Sequence, residues 1–202
     1  VRELRSIGIT PDMIIARSDF PIQNELCEKI ALFCDVRKEA VIPMVTAKNL
    51  YEVPLLLEQA NVGDIVLQRL ELEARQKPDW SQWEIMVQKI TKERPKLRIA
   101  LVGKYVELHD AYMSVREALH HAAIQLELDL DIDWIHSSNL EKGKNFTQLE
   151  EADGIIVPGG FGSRGIEGKI AATKFARENK IPFLGLCLGM QLMVVEFGRY
   201  IY

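Results

Sequence analysis

Two glycine-dense corners, Pro158-Gly159-Gly160-Phe161-Gly162 and Gly185-Leu186-Cys187-Leu188-Gly189, restrict the fold more than any other feature of this chain. Nine of its thirteen glycines lie between Gly154 and Gly198. Glycine reaches left-handed backbone angles and lets other chain approach closely, so this part must turn tightly at strand ends. The apolar runs Gly154-Ile155-Ile156-Val157 and Pro182-Phe183-Leu184-Gly185-Leu186 read as those strands. Helices are expected over about 167–178 and 188–197. Upstream, residues 97–103 read as an edge-tolerant strand ending in glycine, and residues 128–135 as another. Asp110 is placed to cap the helix between them, with Ala111, Val115, Ala118, Leu119, Ala122 and Leu126 as its apolar stripe.

The front of the chain alternates in the same way. Met13-Ile14-Ile15-Ala16 and Ala40-Val41-Ile42 read as strands. Leu26, Ile30 and Phe33 recur at helical spacing, and a further helix covers residues 50–59. Residues 71–96 break the pattern with a charged stretch and one helix spaced by Trp80, Trp83, Val87 and Ile90. Strands alternating with helices imply parallel sheets with right-handed crossovers. The fold class expected is therefore α/β: two doubly wound, Rossmann-like units with mainly parallel sheets, covering residues 1–70 and 97–202, joined by a helical linker over 71–96.

Charge and cysteine usage narrow the function. With 29 acidic against 25 basic side chains, the net charge of −4 argues against a partner recognised through phosphates; no nucleic acid is expected. The longest weakly polar stretch, residues 181–195, carries Pro182, Gly185, Gly189 and Gln191, so no membrane span is expected. Three cysteines, Cys27, Cys34 and Cys187, form no metal-ligand or scaffold spacing, and no metal site is expected. Reduced thiols suit a cytoplasmic protein. The chain opens at Val1 with no initiator Met and no leader pattern.

Cys187 carries the chemistry. A nucleophile between two glycines at a strand-to-helix turn sits on strained backbone, and the helix N-terminus behind it favours negative charge on the sulfur. The alternative is a buried structural cysteine. Strand ends of a doubly wound sheet converge on a crevice, so the Gly159-Gly160 amides can face an oxyanion formed at Cys187. Acyl transfer also needs a base. His109, His120, His121 and His136 are the candidates, and none stands in an H-x-E arrangement. Gly103-Lys104 follows a strand but lacks the upstream glycines of a phosphate loop, and Lys29 by itself reads as a solvated lysine.

The run from Pro158 to Gly165 followed by Phe183 to Gln191 resembles class I glutamine amidotransferases. With Val102-Gly103-Lys104-Tyr105, Asp110-Ala111-Tyr112-Met113-Ser114-Val115, Lys29-Ile30-Ala31-Leu32-Phe33-Cys34 and the opening Val1-Arg2-Glu3-Leu4, the resemblance narrows to the CTP synthase family. It implies a ligase of pyrimidine biosynthesis that uses ATP and Mg2+ to activate UTP, and ammonia from glutamine to form CTP. It further implies GTP as activator, CTP as feedback inhibitor and a homotetramer. By resemblance, Cys187 is the glutaminase nucleophile, Gly160 and Leu188 supply amides, and Gly189, Met190 and Gln191 complete the glutamine pocket. Lys29 would meet UTP or CTP, and Val45, Thr46 and Ala47 would border the ATP adenine. Phe161 is a candidate to stack on the GTP purine.

The resemblance places this sequence in the middle of a longer chain: the last part of a synthase domain, a linker, and the first half of a glutaminase domain. The family's phosphate loop and magnesium ligands would precede Val1, and its H-x-E pair would follow Tyr202. The 202 residues alone are expected to make no CTP. Another class I amidotransferase, or a non-catalytic relative with a vestigial cysteine, remains the alternative.

Overall fold

A computed structural model describes residues 1–202, with only the side chain of His109 outside the description. The chain divides into two compact units, Val1–Gln88 and Lys89–Tyr202.

In the first unit, a short helix α1 (Arg2–Ser6) precedes β1 (Ile14–Ser18), α2 (Asn24–Cys34) and β2 (Val41–Val45). β1 and β2 pair in parallel, with Ile14 opposite Val41 and Ser18 opposite Val45. Helices α3 (Val53–Gln59), α4 (Val62–Arg69) and α5 (Ser81–Ile90) follow. The core here is small: Cys27, Ala31 and Val41 are buried together, packed by Ala16, Ile22, Ile30 and Val36. Of the stripe Leu26, Ile30, Phe33 only Ile30 packs on this core; the fully buried positions of α2 are Cys27 and Ala31, and Leu26 and Phe33 are exposed.

The second unit is a four-stranded parallel sheet in the order β4-β3-β5-β6. Its strands are β3 (Lys96–Gly103), β4 (Asp129–His136), β5 (Gly154–Val157) and β6 (Phe183–Gly185). The helices are α6 (Met113–Gln125), α7 (Ser137–Glu141), α8 (Phe146–Glu150), α9 (Ile166–Asn179) and α10 (Leu188–Tyr200). Ala100, Val102, Ile135, Leu149, Ile155, Val157 and Ala172 form the centre of its core.

β3 is the expected strand ending in glycine, and it lies inside the sheet: it pairs with β4 on one side and β5 on the other, and Ile99 to Gly103 are buried. Its unbroken apolar run is what a parallel strand covered on both faces requires. The one charged residue of 97–103, Arg98, lies near the strand's start, bridged to Asp133 at 2.9 Å and Glu151 at 2.6 Å. One local expectation fails: Asp110 does not cap α6. It lies in a 3-10 turn, His109–Tyr112, and α6 begins at Met113 with no side-chain cap. Ala111 belongs to that turn and not to α6, whose buried face is carried by Ala123 and Ile124 while Ala118, Ala122 and Leu126 are exposed.

The chain runs from β3 outward to β4, then crosses back to β5 and on to β6. The order reverses between β3 and β5, and ligands of such sheets bind beyond the strand ends at that point.

Candidate functional site

The loops leaving β3, β5 and β6 meet at the carboxyl edge of this sheet. β6 passes through Leu186 into Cys187, the residue that opens α10. Cys187 has φ 51° and ψ −106°, a backbone state rare for any residue with a side chain. Such strain is on the order of 1–3 kcal/mol and persists only where the surroundings impose it. They do so here through three backbone hydrogen bonds: Leu186 N to Val157 O at 2.9 Å, Gly189 N to Leu186 O at 2.9 Å, and Gln191 N to Cys187 O at 3.1 Å.

Both glycines of the corner are sterically required. A Cβ on Gly189 would stand 2.0 Å from the Val157 carbonyl oxygen. One on Gly185 would meet the Gly189 carbonyl carbon at 2.5 Å. The first turn of α10 is thus packed directly on the backbone of β5 and β6, and the thiol is pushed outward; Cys187 is exposed.

The β5 loop lies against it. A Cβ built on Gly159 would come within 3.4 Å of Cys187 Cβ and 4.0 Å of its Sγ. One on Gly160 would lie 3.8 Å from Leu188 Cδ2. Gly159, Gly160, Cys187 and Leu188 therefore share one corner. Gly189 is buried beneath it, while Met190 and Gln191 are exposed on the first turn of α10. Phe161, at the tip of the loop, is 90% exposed. Its carbonyl accepts a hydrogen bond from Lys104 Nζ at 3.3 Å, so the loops flanking the topological switch touch. Lys104 and Arg164 both lie over the Tyr105 ring, at 5.3 and 5.9 Å from its centroid.

Beneath the β5 loop lies a residue that sequence reasoning missed. Lys169, on α9, is 2% exposed, and its Nζ donates to the Pro158 carbonyl at 3.3 Å. Burial, and secondarily the charge of Lys104, lower its pKa from the usual lysine value. Its spacing from Ala172, Thr173 and Ala176 was the available signal, since it puts a lysine on the buried stripe of α9.

The histidines occupy other places. His136 ends β4, with β3 and β5 between it and β6, on the order of 14 Å away at the usual strand spacing. Its Nδ1 accepts from Ser138 N at 3.2 Å and caps α7. His120 is half-buried and His121 exposed, both past the middle of α6. The side chain of His109 lies outside the described residues.

In the first unit, Val45 ends β2 and is exposed, as is Thr46 beyond it; Ala47 is half-buried. Thr46 joins the ends of β1 and β2: its N donates to Ser18 O at 2.9 Å and its Oγ1 to Asp19 Oδ1 at 2.8 Å. Lys29 is exposed on α2. A separate cleft of about 790 Å³ lies at the opposite ends of β1 and β2, lined by Asp12, Arg37, Ala40 and Arg69 among others. It is remote from the strand ends where ligands of such sheets bind. Among the described residues no group of three or more His, Cys, Asp or Glu could hold a metal ion. No helix is long and apolar enough to cross a membrane among them.

Comparison with known proteins decides the family. The profile of the CTP synthase N-terminus matches residues 1–72, and that of glutamine amidotransferase class-I matches residues 107–202. A CTP synthase of Dehalococcoides mccartyi is 57% identical over 201 residues, covering all of this chain and 37% of the relative. The chain belongs to the CTP synthase family. The CTP synthase of Carboxydothermus hydrogenoformans is 55% identical over 199 residues, 98% of this chain and 37% of the relative. This family member thus spans little more than a third of the curated relatives it matches. A solved structure, the glutaminase domain of Trypanosoma brucei CTPS with bound acivicin, shares 43% identity over 52% of this chain and 41% of its own, with a TM-score of 0.48.

Proposed function

We propose that this chain is the central segment of a glutamine-hydrolysing CTP synthase, and that residues 97–202 form the nucleophile half of its glutaminase domain. The single observation that carries the reading is the exposed Cys187 thiol, held at positive φ against the Gly159-Gly160 corner. In the reaction, Sγ attacks the side-chain carboxamide carbon of glutamine. The carbonyl oxygen takes up negative charge beside the amides of Gly160 and Leu188. Collapse breaks the C–N bond, ammonia leaves with the proton lost by the thiol, and a glutamyl thioester remains for water to hydrolyse. Gly189 carries the turn, and Met190 and Gln191, exposed beside the sulfur, line the glutamine. A base for the proton transfers would come from a longer chain than these 202 residues.

Residues 1–70 would contribute to the synthase that aminates UTP in an ATP-dependent reaction, with residues 71–96 as the linker. Thr46, Val45 and Ala47 at the carboxyl edge of β1 and β2 suit the adenine side of ATP, and exposed Lys29 suits the anionic UTP or CTP. Mg2+ would enter with ATP. Phe161, exposed at its loop tip between the Lys104 contact and Arg164, suits stacking on the purine of activating GTP. Cytoplasmic location, CTP feedback and a homotetramer complete the reading.

The test uses a polypeptide of the relatives' full length carrying this segment. Cys187→Ala should abolish ammonia release from glutamine while sparing CTP formation from added ammonia. Persistent glutamine hydrolysis would defeat the assignment. In the same assay, Phe161→Ala should blunt activation by GTP.

A further inference from the structure

Lys169 is a buried amine that the reaction described above leaves unused. Its side chain crosses under the β5 loop from α9, flanked by Gly168 and Ile170, both buried. Thr173 Oγ1 donates to the Lys169 carbonyl at 2.9 Å and steadies that turn of the helix. The ammonium donates to Pro158 O at 3.3 Å, and a Cβ built on Gly160 would lie 3.4 Å from Nζ. The amine therefore lies against the inner side of the Pro158-Gly159-Gly160 backbone, while Cys187 lies against it at Gly159.

Peptide geometry gives this contact a consequence. No cis peptide occurs among the described residues. In a trans peptide the C=O and the following N–H point in opposite directions. Drawing the Pro158 carbonyl inward to the ammonium turns the Gly159 N–H outward. A glycine pair has no side chain to hold its peptide planes, and without such an anchor they would rotate freely. Lys104 grips the outer end of the same loop at the Phe161 carbonyl. The inner end, next to the sulfur, depends on Lys169.

We propose that Lys169 is a positioning residue for glutamine hydrolysis: its buried ammonium fixes the Pro158–Gly159 peptide plane, and through it the course of the backbone that presents the next amide, that of Gly160, to the oxyanion formed at Cys187. Its fixed positive charge, behind the loop and shielded from water, adds to the stabilisation of that oxyanion. The inference rests on the thioester reading given above.

The experiment compares the parent enzyme of full length with Lys169→Met, which keeps the buried stem and removes the charge. Steady-state ammonia release is measured alongside alkylation of Cys187 by a haloacetamide, a direct displacement that forms no oxyanion. Lys169→Met should lower kcat by about tenfold or more, leave KM for glutamine within about twofold, and leave the alkylation rate unchanged. An unchanged kcat in the variant would overturn the role of Lys169 alone, whereas a parent enzyme unable to hydrolyse glutamine would overturn the thioester reading with it. Equal losses in kcat and alkylation, or a variant that does not fold, would show a purely structural lysine and overturn the proposal.

Discussion

The two units place parallel strands beneath candidate sites in different ways. In the second unit, four strands support the corner, and its loops are locked by backbone contacts that only glycine permits. In the first, two strands of five residues each support the Thr46 edge, which is tied by an exposed side-chain hydrogen bond to Asp19. A parallel sheet is stable when both faces are covered. The second unit achieves this with a core centred on Ala100, Val102 and Val157, whereas the first leaves Phe20, Leu32 and Phe33 each more than three-quarters exposed. The closed core suits the chemistry proposed for the second unit, since covalent attack needs a sulfur and its amides held within fractions of an ångström.

The sharpest way to break this comparison is to loosen the second unit. Glu196 on α10 is 1% exposed and is held by Arg177 of α9, with Nε and Nη2 both donating to the carboxylate at 2.8 to 3.2 Å. Arg177→Met leaves that carboxylate buried without its partner and should lower the stability of the unit the most of these changes. Denaturant unfolding reads this directly, and an unchanged midpoint would show that α10 is not pinned by the pair. Next in size is Gly189→Ala, whose methyl would strike the Val157 carbonyl. It should destabilise by about 3 kcal/mol, and Cys187 alkylation should change with it because the elbow must move.

The matching change in the first unit should be far milder. Thr46→Val removes the exposed hydroxyl contacts to Asp19 and to the Ser18 carbonyl and should alter stability by only about 0.5 kcal/mol; a loss comparable to that of Gly189→Ala would erase the contrast. Smallest is a pH effect confined to the second unit. Lys169 has a folded-state pKa below its ordinary 10.5, so between those values the unfolded chain binds more protons than the folded one. Stability from this group is therefore lowest at neutral pH and rises as pH climbs through the folded value towards 10.5. Thermal midpoints of Lys169→Met across that window should lack the rise; an identical pH profile in both proteins would contradict it.

Much of this protein was legible in its sequence because the signals are local. A glycine on each side of Cys187, after an apolar run and before a helical stripe, encodes a strand, a tight turn and an exposed sulfur within a dozen residues. The alternation of strand and helix sets the parallel sheet for the same reason, since the period of apolar residues is read over one element at a time. Tertiary structure alone decided the rest. That β3 is central and β4 outermost depends on pairing between residues more than thirty apart in the chain. Which face of α6 is buried depends on what packs against it, which spacing within the helix does not record. Lys169 shows the limit most clearly: the sequence puts a lysine on a helix, but only the loop and helix that close over it make its charge a buried one. Desolvation is a property of what surrounds a group, and no neighbour in the sequence records it.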